Sequence, residues 1–307
     1  MDMAFDDTQT AIKDSCERLF SRAAGPARAR VVGKAGGADT ALAAELAQAG
    51  FLDLFAEDGG PLLAALVTEW AAGSAAVAPI GARTLVAPSV IDGPIPDVVA
   101  VYDAAHPGPV RYAAQADLII RLEGDEAVVA ERGAFEAEPV ASIFGYPMAR
   151  VSALRGTRLA PGAGAVARRW WQVALAAEVA GTSAAAVRQT IDYLQQRVQF
   201  DRPIASFQAV QHRLVECHVS VQSTSWAARE AAAKGAPPVL AAGCAITAVE
   251  CAQRVFDETH QLSGAIGFTT EYDLHLWSMR LQTLRQECGG IRAHSDALVD
   301  RAWQSPL

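Results

Sequence analysis

Long apolar-striped segments between proline breaks dominate the second half of this chain and restrict its fold more than any other feature. Ala165–Val198, Ser206–Lys234, Pro238–Ser263, Tyr272–Glu287 and Gly290–Trp303 each carry apolar residues at helical spacing. Pro203 and the Pro237–Pro238 pair interrupt the pattern, where a helix cannot continue. Such segments bury their stripes only against one another. Residues 165–307 are therefore expected to form an antiparallel bundle of about four long helices.

Two other regions precede it. Residues 1–79 read as helices: Phe5–Arg22 with Ile12, Cys16, Leu19 and Phe20 in register, a helix capped by Asp39 and stopped at Gly50, and Leu62–Ala76. Residues 80–164 are richer in proline, with short β-prone runs at Val98–Tyr102, Leu118–Leu122, Ala127–Ala130 and Val151–Leu154. The expected fold is mainly α with a small middle β domain.

Composition narrows the function. The formal net charge is −8, which disfavours nucleic acid and anionic membranes as partners. The chain lacks the run of about 18 apolar residues that a membrane span needs, and its first residues are acidic without a signal-peptide core. Cys16, Cys217, Cys244, Cys251 and Cys288 have no metal-ligand spacing and read as reduced thiols of a cytoplasmic protein.

Two segments carry chemistry. In RVQFDRPIASFQAVQH, Arg197 stands at an expected helix end, and Phe200 and a Pro-containing turn follow. A guanidinium there can grip phosphate oxygens in pairs; the alternative is a solvated arginine favoured by the helix dipole. Phe200 faces the same choice between a ligand contact and core filling. In QLSGAIGFTTE, from Gln261 to Glu271, glycines permit close backbone approach, or simply stop a helix at Gly264.

Together these segments resemble the C-terminal half of the acyl-CoA dehydrogenases. The first is similar to R-x-x-F-G-x-P-[IL]-x-x-x-Q, met by Arg197, Phe200, Pro203, Ile204 and Gln208, with Asp201 in place of the glycine. The second is similar to Q-x-x-G-G-x-G-[FY], met by Gln261, Gly264, Gly267 and Phe268, with Ala265 in place of the second glycine. The resemblance implies FAD as cofactor and an acyl-CoA substrate. It implies that Arg197 reaches the diphosphate of a neighbouring subunit's FAD, that Phe200 packs on it, and that Gln208 lies on its adenosine side. Gln261, Leu262, Ser263, Gly264 and Ala265 line its adenine end by the same resemblance.

Other family features are missing. The family's base is a glutamate at one of two positions, which here hold Cys288, beside Glu287, and Trp171. Glu287 is the remaining candidate base, against a solvated helix-end role; Cys288 has no adjacent histidine to activate it. The family's Gly-Thr-x-Gln is replaced by Gly289, Gly290, Ile291 and Arg292, and residues 80–162 lack its flavin-cradling loop and strand.

Contacts to a neighbour's cofactor are thus kept and contacts to the chain's own are lost. This resembles the shortened subunit of actinobacterial α2β2 acyl-CoA dehydrogenases, several of which act on CoA thioesters of steroid side chains. The expected partner is a homologous full-length subunit. The alternatives are a homo-oligomer using Glu287 as base, and a non-catalytic scaffold. Trp170 and Trp171 are expected in core or interface packing. His212 and His260 are expected in structural roles, and Arg168–Arg169 at a solvated helix start.

Overall fold

The computed structural model describes residues 5–57 and 59–304, without the side chains of residues 301–304. The N-terminal helices are α1 (Asp7–Ala23), α2 (Pro26–Ala35), α3 (Thr40–Gln48) and α4 (Gly60–Gly73). Asp6 and Gln9 close a reciprocal capping box on α1, and the Asp39 carboxylate accepts the Leu42 N–H at the start of α3. Sequence reading missed α2. Its proline sits in the first turn and Gly36 ends it in the left-handed region, but only Ala29 is buried, so it has no apolar stripe to announce it.

The middle region contains β1 (Val99–Asp103), β2 (Val110–Arg111), β3 (Leu118–Glu123), β4 (Glu126–Glu131), β5 (Glu136–Val140), β6 (Met148–Ser152) and β7 (Thr157–Arg158). One sheet has the order β1-β3-β4-β7 and the other β2-β6-β5. Only β1 and β3 pair in parallel. The parallel pair β1 and β3 is almost wholly buried and reads as two apolar runs. The exposed β5 and the two-residue β2 and β7 leave no such signal.

The bundle begins with α5 (Ala163–Gln196), which spans about 50 Å at 1.5 Å per residue. A hairpin of β8 (Val198–Gln199) and β9 (Arg202–Pro203) follows, then α6 (Gln208–Ala233), α7 (Pro238–Ser263), α8 (His275–Leu284) and α9 (Gly290–Gln304). Glycine sets the crossing of α4 and α5: a Cβ on Gly181 would lie 1.8 Å from the Glu69 carbonyl oxygen. One hydrophobic core runs through all three regions, from Ala64 through Val99 and Ile120 to Val173 and Leu281. Glu69 on α4 is clamped to the bundle by the Ser225 hydroxyl at 2.9 Å and Arg229 Nη2 at 3.0 Å.

Pro238–Phe268, comprising α7 and the turn after it, is long and apolar enough to cross a membrane, with a mean hydropathy of 1.4. Half of that apolar window is buried inside the fold, the pattern of a bundle-core helix.

Candidate functional site

A cleft of about 850 Å³ separates the β region from the bundle, with Tyr102, His106, Arg111, Phe144, Trp171 and Glu287 in its walls. Arg111 on β2 dominates its inner end. Its Nε donates to Glu287 Oε1 at 3.0 Å, and its Nη1 donates to both Glu178 oxygens at 2.8 and 3.0 Å. The Tyr146 hydroxyl adds a 2.6 Å bond to Glu178 Oε1. The Tyr146 ring lies between two guanidinium groups, 4.7 Å from Arg111 and 5.1 Å from Arg280. Arg280 in turn donates to the carbonyls of Gly145, Ala76 and Ala75. The two arginines thereby tie the N-terminal helices, the β region and the bundle together.

Burial works against the Arg111 charge, yet Glu178 and Glu287 hold its pKa well above the ordinary value. Two carboxylates share this one cation. Burial therefore pushes the Glu287 carboxyl above the usual range, with Arg111 pulling the other way. Glu287 is largely enclosed and paired with Arg111, which corrects the solvated helix-end expectation for it.

The residues beside Glu287 are equally occupied. Cys288 sits at φ 54°, buried, and burial followed by the Glu287 charge pushes its thiol well up, which disfavours the nucleophilic thiolate. Gly289 lies so close to His106 that a Cβ would come within 2.4 Å of Nε2. His106 Nδ1 lies 3.1 Å from Asp103 Oδ2, and the same oxygen accepts from Arg168. Burial disfavours the Asp103 charge, but Arg168, the Ala105 N–H and His106 outweigh it and hold the carboxyl below its usual value. Arg168 is thus a partner of a buried acid and not the solvated helix-start cation expected. Trp171, at the family's second base position, contributes an indole to the cleft wall; Trp170 packs edge-on against Phe55 at 4.8 Å.

The chain's other candidate residues gather at one end of the bundle. Arg197 terminates α5, is exposed, and forms no ion pair among the described residues. Phe200 and Asp201 form the hairpin tip at φ 56° and 62°, as a tight two-residue turn requires, so Asp201 takes the conformation that glycine favours. Phe200 is 85% exposed, which removes the core-filling alternative. Gln208 opens α6, also exposed.

The second motif lies at the end of α7. Gln261, Gly264 and Ala265 are exposed, Leu262 is half-buried and Ser263 is buried. Gly264 has φ 63°, and a Cβ there would meet nothing within 4 Å, so its backbone is open to approach. Antiparallel connectivity brings the two motifs to the same end. The Arg213–Glu258 ion pair joins α6 to α7 there. The Tyr272 hydroxyl donates to the Gln189 carbonyl, and its ring lies 5.4 Å from Tyr193, joining the end of α5 to the segment after α7. His212 is exposed, and His260 is buried with Nε2 3.0 Å from the Ser278 hydroxyl.

Sequence reading missed Arg111, Glu178 and Tyr146. Glu178 left one trace, a lone acid within the alanine-rich core face of α5. Arg111 left none, because a two-residue strand has no period.

Residues 169–293 match the family described as acyl-CoA dehydrogenase, C-terminal domain. Acyl-CoA dehydrogenase IpdE2 of Mycobacterium tuberculosis is 28% identical over 260 residues, covering 81% of this chain and 80% of that protein. The IpdE2 of Mycolicibacterium smegmatis is 34% identical over 119 residues, 38% of each. Among solved structures, the ChsE4-ChsE5 complex from Mycobacterium tuberculosis superposes with a TM-score of 0.82 at 18% identity, covering all of both chains. A Tcur3481-Tcur3483 steroid ACAD variant gives a TM-score of 0.79 at 22% identity, covering 97% of this chain and 98% of that one. Residues 169–293 thus carry an acyl-CoA dehydrogenase C-terminal domain, and at these identities the superpositions establish that the whole chain shares the fold of those structures.

Proposed function

We propose that this chain completes the FAD site of a homologous full-length acyl-CoA dehydrogenase subunit within an α2β2 complex. That complex oxidises an acyl-CoA between Cα and Cβ to the 2,3-enoyl-CoA. One observation carries the reading: the candidate base Glu287 is tied to Arg111, while Arg197, at the bundle end where the open Gly264 backbone also lies, is exposed and has no ion pair among the described residues.

The exposed end suits a diphosphate held by another subunit. Arg197 can present two parallel donors to its oxygens. Gln208 and Gln261 offer side-chain amides, and Gly264 and Ala265 let a ligand approach the backbone. FAD bound there would accept the hydride leaving Cβ. The inner cleft does not suit the same cofactor in cis, because Arg111, Glu178 and Glu287 satisfy one another across it.

A general base must come within hydrogen-bond reach of the α-proton. Glu287 Oε1 accepts from Arg111, and swinging the carboxylate out toward a substrate would leave that cation under-paired. The partner is therefore the source of the base. Likeness of fold to the steroid ACAD supports a steroid CoA thioester as the substrate class. Five buried, unpaired cysteines support a reducing cytoplasmic setting.

The test is co-expression with a homologous full-length acyl-CoA dehydrogenase subunit, followed by flavin counting. Arg197→Ala is expected to strip the complex of FAD, and Glu287→Gln to leave turnover of the loaded complex intact. Unchanged flavin content in the first variant would favour a scaffold role. Loss of turnover in the second, with a yellow isolated chain, would favour the homo-oligomer.

A further inference from the structure

We infer that Phe268 is a stacking platform for the purine ring of the partner-held dinucleotide, an inference that rests on the proposed function above. Phe268 ends the tight turn Gly264–Phe268 that follows α7, and 74% of it is exposed. What distinguishes this exposed ring is the aromatic contact that holds it. Its centroid lies 4.7 Å from that of His260, which lies 4.3 Å from Phe256 one helical turn earlier. The three rings run in tilted contact from half-buried Phe256 through buried His260 to exposed Phe268.

This arrangement is rigid. His260 is buried and anchored through Nε2 to the Ser278 hydroxyl at 3.0 Å. Burial lowers its pKa, so the imidazole beneath Phe268 is neutral at pH 7 and requires no counter-ion. Gly267 presses the turn against α7: a Cβ there would lie 3.0 Å from Ser263 Cβ and 3.6 Å from His260 Cα. Phe268 therefore pays little ordering entropy when a second ring settles on it.

A flat heteroaromatic ring carrying phosphates fits this place better than an aliphatic chain does. The open backbone at Gly264 lies four residues away on the same turn, and Arg197, at the same end of the bundle, has no ion pair among the described residues. Aromatic faces stack on any purine or pyrimidine, so the platform needs no hydrogen-bond code of its own. The Gln261–Ala265 backbone would run along the sugar-phosphate side, with Phe268 beneath the base.

The experiment uses the co-expressed complex, stripped of flavin and titrated with FAD. Phe268→Leu keeps an apolar side chain but removes the π face, and is expected to weaken FAD binding about 10-fold or more. Phe268→Trp is expected to restore it. Thermal melting of the apo complex should match the parent in both variants, because the ring is exposed. Unchanged FAD affinity in Phe268→Leu overturns the platform, as does an equal loss in the Leu and Trp variants. Arg197→Ala separates the two claims. Loss of FAD there with Phe268→Leu unaffected sinks the platform alone; FAD retained in both, or absent from the parent complex, sinks the proposed function with it.

Discussion

Arg111 and Arg197 are the same residue used in opposite ways at two ends of one molecule. Arg111 is enclosed and gives its donors to Glu178 and Glu287 of its own chain; Arg197 stands in water and pairs with no carboxylate among the described residues. A buried cation has to be satisfied within the chain, since leaving it bare costs several kcal/mol. An exposed one bears no such penalty, and its hydrogen-bonding capacity stays available to another molecule. The donors at the inner cleft are therefore engaged within the chain, and those at the outer end are not.

The contrast breaks most visibly at Arg111. Arg111→Met is expected to lower stability by about 3–5 kcal/mol, because two buried carboxylates would lose their shared cation. Urea unfolding of the isolated chain measures it, and a loss under about 1 kcal/mol would mean the triad is solvated.

A pH series sharpens the same point at His294. Burial, with the Glu287 backbone pulling the other way, lowers its pKa from 6.5 to about 4. The folded protein keeps the ring neutral, while the unfolded chain takes up a proton below about pH 6.5. Stability is therefore lost as pH falls from about 6.5 towards 4, by on the order of 3 kcal/mol, and the effect levels off below that. His294→Asn keeps a partner for Gln172, which lies 3.1 Å from the ring. It is expected to flatten that slope; an unchanged urea-midpoint profile between pH 7 and 4 would place the titration elsewhere.

The smallest effect is expected at the outer end. Phe200→Ala should leave the stability of the isolated chain within about 0.5 kcal/mol, since the ring is exposed and makes only an edge contact with Phe207 at 6.1 Å. A larger loss in thermal or urea melts would show that the hairpin tip supports the fold and is not reserved for a partner.

The open end was legible in the sequence and the closed end was not. Arg197, Phe200 and Gln208 fall within one short segment, and Gln261 to Ala265 are contiguous, so local spacing exposes both motifs. The closed end joins residues separated by 67 and 176 positions, from a two-residue strand, the middle of a long helix and a tight turn. Arg168 was misread for the same reason: its partner Asp103 lies in a strand 65 residues earlier. The asymmetry of kept and missing motifs was readable, but the ion pair that engages Glu287 was not.

The amino-acid order alone determined the helical bundle, its proline breaks, the small β insertion and the two surface motifs, because helical period, capping and turn chemistry act over a few residues. Only the tertiary structure decided which charges are engaged and which remain available. Burial and pairing depend on the packing of distant segments, and that packing gives two arginines of one chain opposite roles.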